Sequence, residues 1–185
     1  MANHIFLVGY RGSGKSSVGR RLSEILRLPS ADSDDLVEIE AGKSIRAIFS
    51  DDGESGFRDL ETLAIQRISA RREPAIVSLG GGAILREQNR RLIQANGAIV
   101  WLQASVEEIV KRVTGDSTTT ERRPALTQLA VREEIAKLLE LREPMYREVA
   151  DTTVATDHRL VDEIATEIAQ WFSNWRSSAT SERAE

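Results

Sequence analysis

Short continuous apolar runs alternate along this chain with longer stretches whose apolar residues recur at helical spacing. Ile5 to Val8, Ala75 to Leu79 and Ala98 to Leu102 are of the first kind and predict strands. Val18 to Leu28, Arg86 to Ala95 and Leu160 to Trp175 are of the second kind and predict helices. Leu28-Pro29-Ser30-Ala31 and Thr152 to Ala155 are shorter strand candidates. Strand and helix in succession describe β-α units, so the pattern predicts an α/β fold with a parallel sheet and helices on both faces. Local signals agree with it: Gly97 closes the helix before Ile99, and Ser105 caps the next helix with Glu108 three residues on.

Two segments break this rhythm. Residues 34–71 carry helical pattern without an intervening strand, punctuated by Gly42, Gly53 and Gly56, and predict helices inserted beside the sheet to form a substrate pocket. Gly115 to Pro124 is polar, poor in apolar anchors and too long for a tight connection, which predicts a lid over about 115–127. The end of the chain from Ser173 is polar and is expected to fray, leaving a tail over 176–185.

Composition narrows the class. With 185 residues, 41% of them hydrophobic, one well-buried core and a single domain are expected. A net charge of -4 argues against an open grip on nucleic acid and favours a small anionic substrate held in a local basic pocket. Cys 0 excludes disulfides and thiolate metal sites and agrees with a reducing compartment. The N-terminal apolar run is too short for a signal peptide and no later run approaches membrane-spanning length. A soluble cytoplasmic monomer without membrane or nucleic-acid partners is therefore expected.

The residues that carry chemistry begin at Gly9-Tyr10-Arg11-Gly12-Ser13-Gly14-Lys15-Ser16, set between the first strand and the first helix. Glycines let backbone amides turn inward around a polyphosphate, Lys15 reaches its outer phosphates, and the Ser16 hydroxyl suits Mg²⁺. The helix beginning there points its positive end at the anion. A Gly-rich turn without a ligand is the bland alternative, and the flanking strand and helix disfavour it. Asp32 and Asp34, two residues apart on an extended backbone, are expected to face one site, one supporting Mg²⁺ and the other orienting an attacking hydroxyl. Their alternative role is capping the helix near Leu36. Gly80-Gly81-Gly82 ends a strand where ligands bind in open α/β sheets, although a tight turn explains the triplet as well. Taken alone, Arg58 and Arg142 read as solvated surface charges or helix-face ion pairs, and Arg123 is likewise ordinary. His4 and His158 show no metal-ligand pattern, and the three tryptophans suit core or helix faces.

Taken in order, Gly9 to Ser16, Asp32-Ser33-Asp34, Phe57-Arg58-Asp59-Leu60-Glu61, Gly80-Gly81-Gly82, Arg123-Pro124 and Leu141-Arg142-Glu143-Pro144-Met145-Tyr146 resemble the shikimate kinase family. The likeness runs from about Ile5 to about Thr156. It implies a three-layer α/β/α P-loop kinase with strand order 2-3-1-4-5, a helical substrate-binding insert and a lid. It also implies ATP and Mg²⁺ as cofactors and shikimate as substrate. Gly12, Ser13, Gly14, Lys15, Ser16 and Ser17 would cradle the ATP phosphates, with Ser16 a Mg²⁺ ligand and Asp32 its supporting partner. Asp34 would hold the shikimate hydroxyls, Arg58 and Arg142 its carboxylate, and Gly80, Gly81 and Gly82 would add backbone contacts. Glu61 would support Arg58, and Ile45, Phe49 and Phe57 would line the ring. Arg123 would reach the phosphates from the lid, while Arg112 and Arg159 would flank adenine. Ser33 stands where the family often has Thr, and Ala125 where Leu is usual. Other small-molecule P-loop kinases, for gluconate or a nucleoside monophosphate, and a nucleotide-binding regulatory protein are the competing expectations.

Overall fold

The computed structural model describes residues 4–115 and 128–181. Five strands, β1 (His4–Val8), β2 (Ser30–Asp32), β3 (Ile76–Ser78), β4 (Gly97–Gln103) and β5 (Thr152–Ala155), form one sheet in the order β2-β3-β1-β4-β5. Every pairing is parallel, with Ile5 opposite Ile76 on one side of β1 and Ala98 on the other. Seven described helices surround it: α1 (Lys15–Leu26), α2 (Ser33–Ala41), α3 (Ile45–Ser69), α4 (Glu87–Asn96), α5 (Val106–Gly115), α6 (Gln128–Val149) and α7 (Val161–Ser181).

Side chains alternate across a strand, and β1 shows what that does here. Ile5 and Leu7 point into one core with Val18 and Leu22 of α1 and Ile164, Ile168 and Phe172 of α7. Phe6 and Val8 point into the opposite core with Ile65 and Ile68 of α3, Ile93 of α4 and Tyr146 and Val149 of α6. Both faces of the sheet are thereby sealed, and the three layers expected from the sequence are present. Gly97 caps α4, and the Glu108 amide donates to Ser105 Oγ at 3.2 Å, as the helix signals foretold.

Several boundaries differ from the sequence expectation. The second strand begins at Ser30 and ends at Asp32, because Pro29 has no amide proton to give a ladder. Helices α2 and α3 fill the inserted stretch and pack through Val37, Ile48, Phe57 and Ala64, with a kink in α3 at Gly53. Helix α7 extends to Ser181, beyond Trp175, with Trp171 and Trp175 packed on the core. Helix α6 occupies a stretch to which the pattern assigned no element. Its buried positions, Ile135, Leu139, Tyr146 and Val149, keep helical spacing, but Pro144 inside it is a breaker signal. No helix among the described residues is long and apolar enough to cross a membrane.

Parallel strands bring their C-terminal ends to one edge of the sheet. The loop after β1, the start of α2 after β2 and the glycines after β3 therefore meet there, where open α/β sheets bind ligands.

Candidate active site

The loop after β1 has glycine where the backbone demands it: φ is 78° at Gly12 and 95° at Gly14, both in the region side chains disfavour. Gly14 is the N-cap of α1, so the free amides of that helix open onto the loop. Ser13 is buried with its hydroxyl unpartnered, and Ser17 is exposed on the first turn of α1. Lys15 is 8% exposed and donates from Nζ to the carbonyls of Gly9 at 2.8 Å and Tyr10 at 2.9 Å. Burial pulls its pKa down to about 8, and the charge of Arg142 adds to the fall, against the opposing pull of Asp32 and Asp34.

Ser16 Oγ donates to Asp32 Oδ2 at 2.7 Å, while Asp32 Oδ1 accepts the Asp34 amide at 3.0 Å. Asp32 thus caps α2, as one of its sequence readings expects, and also reaches the phosphate loop through Ser16. The expected reason for its pairing with Asp34 needs correction. The strand stops at Asp32 and Asp34 sits in the first turn of α2, so the two are brought together by a cap and not by strand alternation. Ser33, buried between them, accepts the Gly80 amide on its Oγ at 2.8 Å.

Arg58 and Arg142 are not solvated surface charges. The Arg58 side chain is 16% exposed, donates from Nη1 to Glu61 Oε2 at 2.8 Å, and lies 5.1 Å from the Phe57 ring centre. Glu61 is buried, which pushes its carboxyl pKa up against the opposing pull of Arg58; its Oε1 has no hydrogen-bond partner. Arg142, on α6, donates to the Gly81 carbonyl at 3.2 Å and packs over the Tyr10 ring. The same carbonyl accepts the Tyr146 hydroxyl at 2.6 Å. Phe49 is 43% exposed and stacks on the buried Phe57 at 4.8 Å between centroids, and half-buried Ile45 packs beside them.

The glycine triplet is the meeting point. A methyl group at Gly80 would lie 2.9 Å from Asp34 Oδ1 and 3.1 Å from Glu61 Oε1, and one at Gly82 would lie 2.5 Å from Arg58 Nη2. Of the three glycines expected to add backbone contacts, Gly80 already gives its amide to Ser33 Oγ.

On the far side of the phosphate loop, Arg112 donates to the carbonyls of Gly12 at 3.2 Å and Thr156 at 2.8 Å and to Glu108 Oε1 at 3.0 Å. Arg159 instead bonds Ala155 O and Glu167 Oε2, so it is tied into its own loop and α7. Sequence reasoning gave no role at the site to Ser33, Glu108, Tyr146 or Thr156. Glu108 stands one helical turn before Arg112, a spacing that signals a pair. Ser33 and Tyr146 stand inside the motifs that carry the family likeness, but nothing there points to their partners, which lie 47 and 65 residues away. Arg123 and, apart from Gly115, the lid expected over about 115–127 lie outside the described residues.

His4 and His158 stay apart from this chemistry. His4 is buried and accepts the Ala75 amide on Nδ1, and His158 is exposed. Among the described residues no three His, Cys, Asp or Glu side chains gather as a metal cluster.

The family model described as shikimate kinase matches residues 11–173. A shikimate kinase of Rhodopirellula baltica is 48% identical over 165 residues, covering 89% of this chain and 88% of that protein. One from Pseudomonas syringae pv. syringae is 40% identical over 156 residues, covering 84% and 88%. Among solved structures, shikimate kinase from Acinetobacter baumannii in complex with shikimate superposes with a TM-score of 0.82 at 34% identity, covering 94% of each chain. With a phosphate loop, paired aspartates and two inward arginines on a 2-3-1-4-5 sheet, and with matches over most of its length, this chain belongs to the shikimate kinase family.

Proposed function

We infer that this chain transfers the γ-phosphoryl group of ATP to the 3-hydroxyl of shikimate, giving shikimate 3-phosphate and ADP for aromatic amino-acid biosynthesis. One observation carries the residue roles: a lysine-bearing phosphate loop, a carboxylate and two half-buried arginines converge at the ends of β1, β2 and β3. Shikimate has a carboxylate at one end and hydroxyls at the other. Arg58 and Arg142 offer planar cationic forks to the first, and Asp34 offers an acceptor to the second. Phe49, Phe57 and Ile45 supply the apolar wall for its ring.

Gly12, Ser13, Gly14, Ser16 and Ser17 hold the ATP phosphates through the loop and the α1 amides. Lys15 leaves its two carbonyl partners for the phosphates and spreads the charge that develops on the transferring group. Arg112 flanks the adenine; Arg159 would have to leave Ala155 and Glu167 to join it, and the phosphate role of Arg123, outside the described residues, rests on the family likeness alone. Ser16 Oγ and Asp32 form a hard oxygen donor set that fits Mg²⁺, Ser16 as ligand and Asp32 through a bound water. Bound there, the ion would supply positive charge to offset that of the phosphates. Asp34 accepts the hydrogen bond of the attacking hydroxyl and aligns its oxygen with the γ-phosphorus. The new oxygen–phosphorus bond forms as the bond to the β-γ bridging oxygen breaks; ADP leaves with that electron pair and the hydroxyl proton passes to Asp34.

We further take the chain as a single kinase domain acting as a cytoplasmic monomer. The test of the whole reading is ADP release with ATP and Mg²⁺ when shikimate, gluconate and AMP are offered separately. Release with shikimate alone is expected. Release with gluconate or AMP and not shikimate overturns the substrate, and release with none points to a regulatory nucleotide binder.

A further inference from the structure

We propose that Tyr146 is a positioning residue for the shikimate carboxylate, acting through the Gly81 peptide and through Arg142. The proposal rests on the substrate assignment above and goes beyond it, to a residue that touches neither substrate in that scheme.

Tyr146 is 1% exposed, and its ring stacks on Trp101 of β4 at 5.8 Å with an interplanar angle of 22°. Held at both ends by β4 and α6, the side chain has one direction in which to send its hydroxyl. That hydroxyl donates to the Gly81 carbonyl at 2.6 Å, short even for O–H···O. Burial pushes the phenol pKa upward, so it remains a donor at every pH at which the enzyme would be assayed.

Two consequences follow from fixing one carbonyl. A trans peptide is planar, so the Gly82 amide points opposite to the Gly81 oxygen, away from Tyr146 and α6. Among the described residues neither the Gly81 nor the Gly82 amide has an acceptor, which leaves both for a ligand. In addition, the Gly81 oxygen has two lone pairs, and Arg142 Nη1 takes the second at 3.2 Å. Arg142 and Tyr146 stand one turn apart on α6, so the tyrosine fixes the carbonyl against which the arginine fork is set. On the other side the loop is closed by the phosphate loop, since a methyl group at Gly81 would lie 3.2 Å from the Arg11 amide nitrogen. Without the hydroxyl the Gly81–Gly82 peptide is free to turn, and Arg142 becomes the sole donor to an oxygen it now follows.

The experiment is steady-state kinetics on Tyr146→Phe, which keeps the ring on Trp101 and removes only the hydroxyl. The KM for shikimate is expected to rise about tenfold, the size of one lost hydrogen bond, with the KM for ATP unchanged. In an Arg142→Lys background the same substitution is expected to have a smaller effect, because the two act on one group. A shikimate KM equal to that of the parent overturns the proposal. So does an equal rise in both KM values with a lower Tm, which is the mark of a merely structural tyrosine. Parent enzyme that releases no ADP with shikimate overturns the substrate assignment instead, and is scored before any variant.

A second measurement covers a variant that fails to fold. The chain has two tyrosines, so 3-fluorotyrosine labelling gives two ¹⁹F resonances, assigned with Tyr10→Phe. The Tyr146 signal is expected to shift with shikimate and not with ADP; an unmoved signal at saturating shikimate overturns the proposal.

Discussion

Replacing Gly82 by alanine should damage shikimate binding and leave the fold almost untouched. Its backbone, at φ -104° and ψ -2°, lies in a region alanine occupies without strain. The added methyl group has no such freedom. It would stand 2.5 Å and 2.8 Å from the two terminal nitrogens of Arg58 and 2.9 Å from the carbon between them. Ordinary contact begins near 3.4 Å, so the guanidinium must retreat by roughly 1 Å. It is a flexible side chain and can move, but it is also bonded at 2.8 Å to the buried Glu61, so the movement strains the pair that orients it. A charge-assisted hydrogen bond contributes about 1.5–3 kcal/mol, and one displaced but not deleted should lose about the lower figure, or roughly tenfold in affinity. Initial rates over a matrix of shikimate and ATP concentrations measure it. The shikimate KM should rise about tenfold while the ATP KM and the thermal midpoint hold. Unchanged shikimate KM in Gly82→Ala would show that Arg58 has no part in holding the substrate, or that its place against Gly82 is not the one it uses.

Asp34→Asn keeps the size and one acceptor oxygen but removes the charge and most of the basicity; turnover should fall about a hundredfold or more with ATP affinity nearly preserved, and unchanged turnover with unchanged shikimate affinity would exclude the assigned role. Lys15, held at about 8 by burial in the free chain, should be raised when it meets a triphosphate, so binding above pH 8 requires proton uptake. The ATP KM should accordingly climb toward about tenfold per pH unit in that range, and Lys15→Met should abolish both the slope and most of the turnover; a flat profile contradicts the assignment. His4 has its pKa lowered by burial, so the unfolded chain binds more protons as pH falls below its ordinary value of 6.5. Its contribution to stability is therefore present above that pH and lost below it, and urea midpoints measured from pH 8 to 5 should fall less steeply in His4→Asn than in the parent.

What the sequence revealed and what it hid divide along one physical line. The phosphate loop was legible because its function is local: positive φ at Gly12 and Gly14 writes itself into composition, and Lys15 and Ser16 follow at fixed spacing. The helical insert followed from the helical period of residues 34–71, and the sheet order from family likeness. Glu61, one helical turn from Arg58, was legible as a partner, but the approach of Arg58 to Gly82 and of Arg142 to Gly81 was not, because those glycines lie far from either arginine in sequence. Asp32 and Asp34 were paired for the wrong reason. Strand alternation explained them on paper, whereas a helix cap holds them in the folded chain. Helix α6 was missed although its buried residues are periodic, because Pro144 is tolerated near its end where the pattern alone reads a stop.

The glycine triplet shows how one short motif can be required for several reasons at once. None of Gly80, Gly81 and Gly82 has a positive φ, so backbone freedom does not explain them. Space does, and differently at each. Gly80 leaves room for the carboxylates of Asp34 and Glu61, two like charges that approach the same point from α2 and α3. Gly81 sits against the backbone of the phosphate loop, at Arg11 N and Gly9 O, and it offers its carbonyl to α6. Gly82 makes way for the Arg58 guanidinium. The helical insert therefore meets Gly80 and Gly82, while the phosphate loop and α6 both meet Gly81, so three elements converge on one three-residue turn. The turn that joins them has no side chains of its own, so close approach on every side is what its composition provides for.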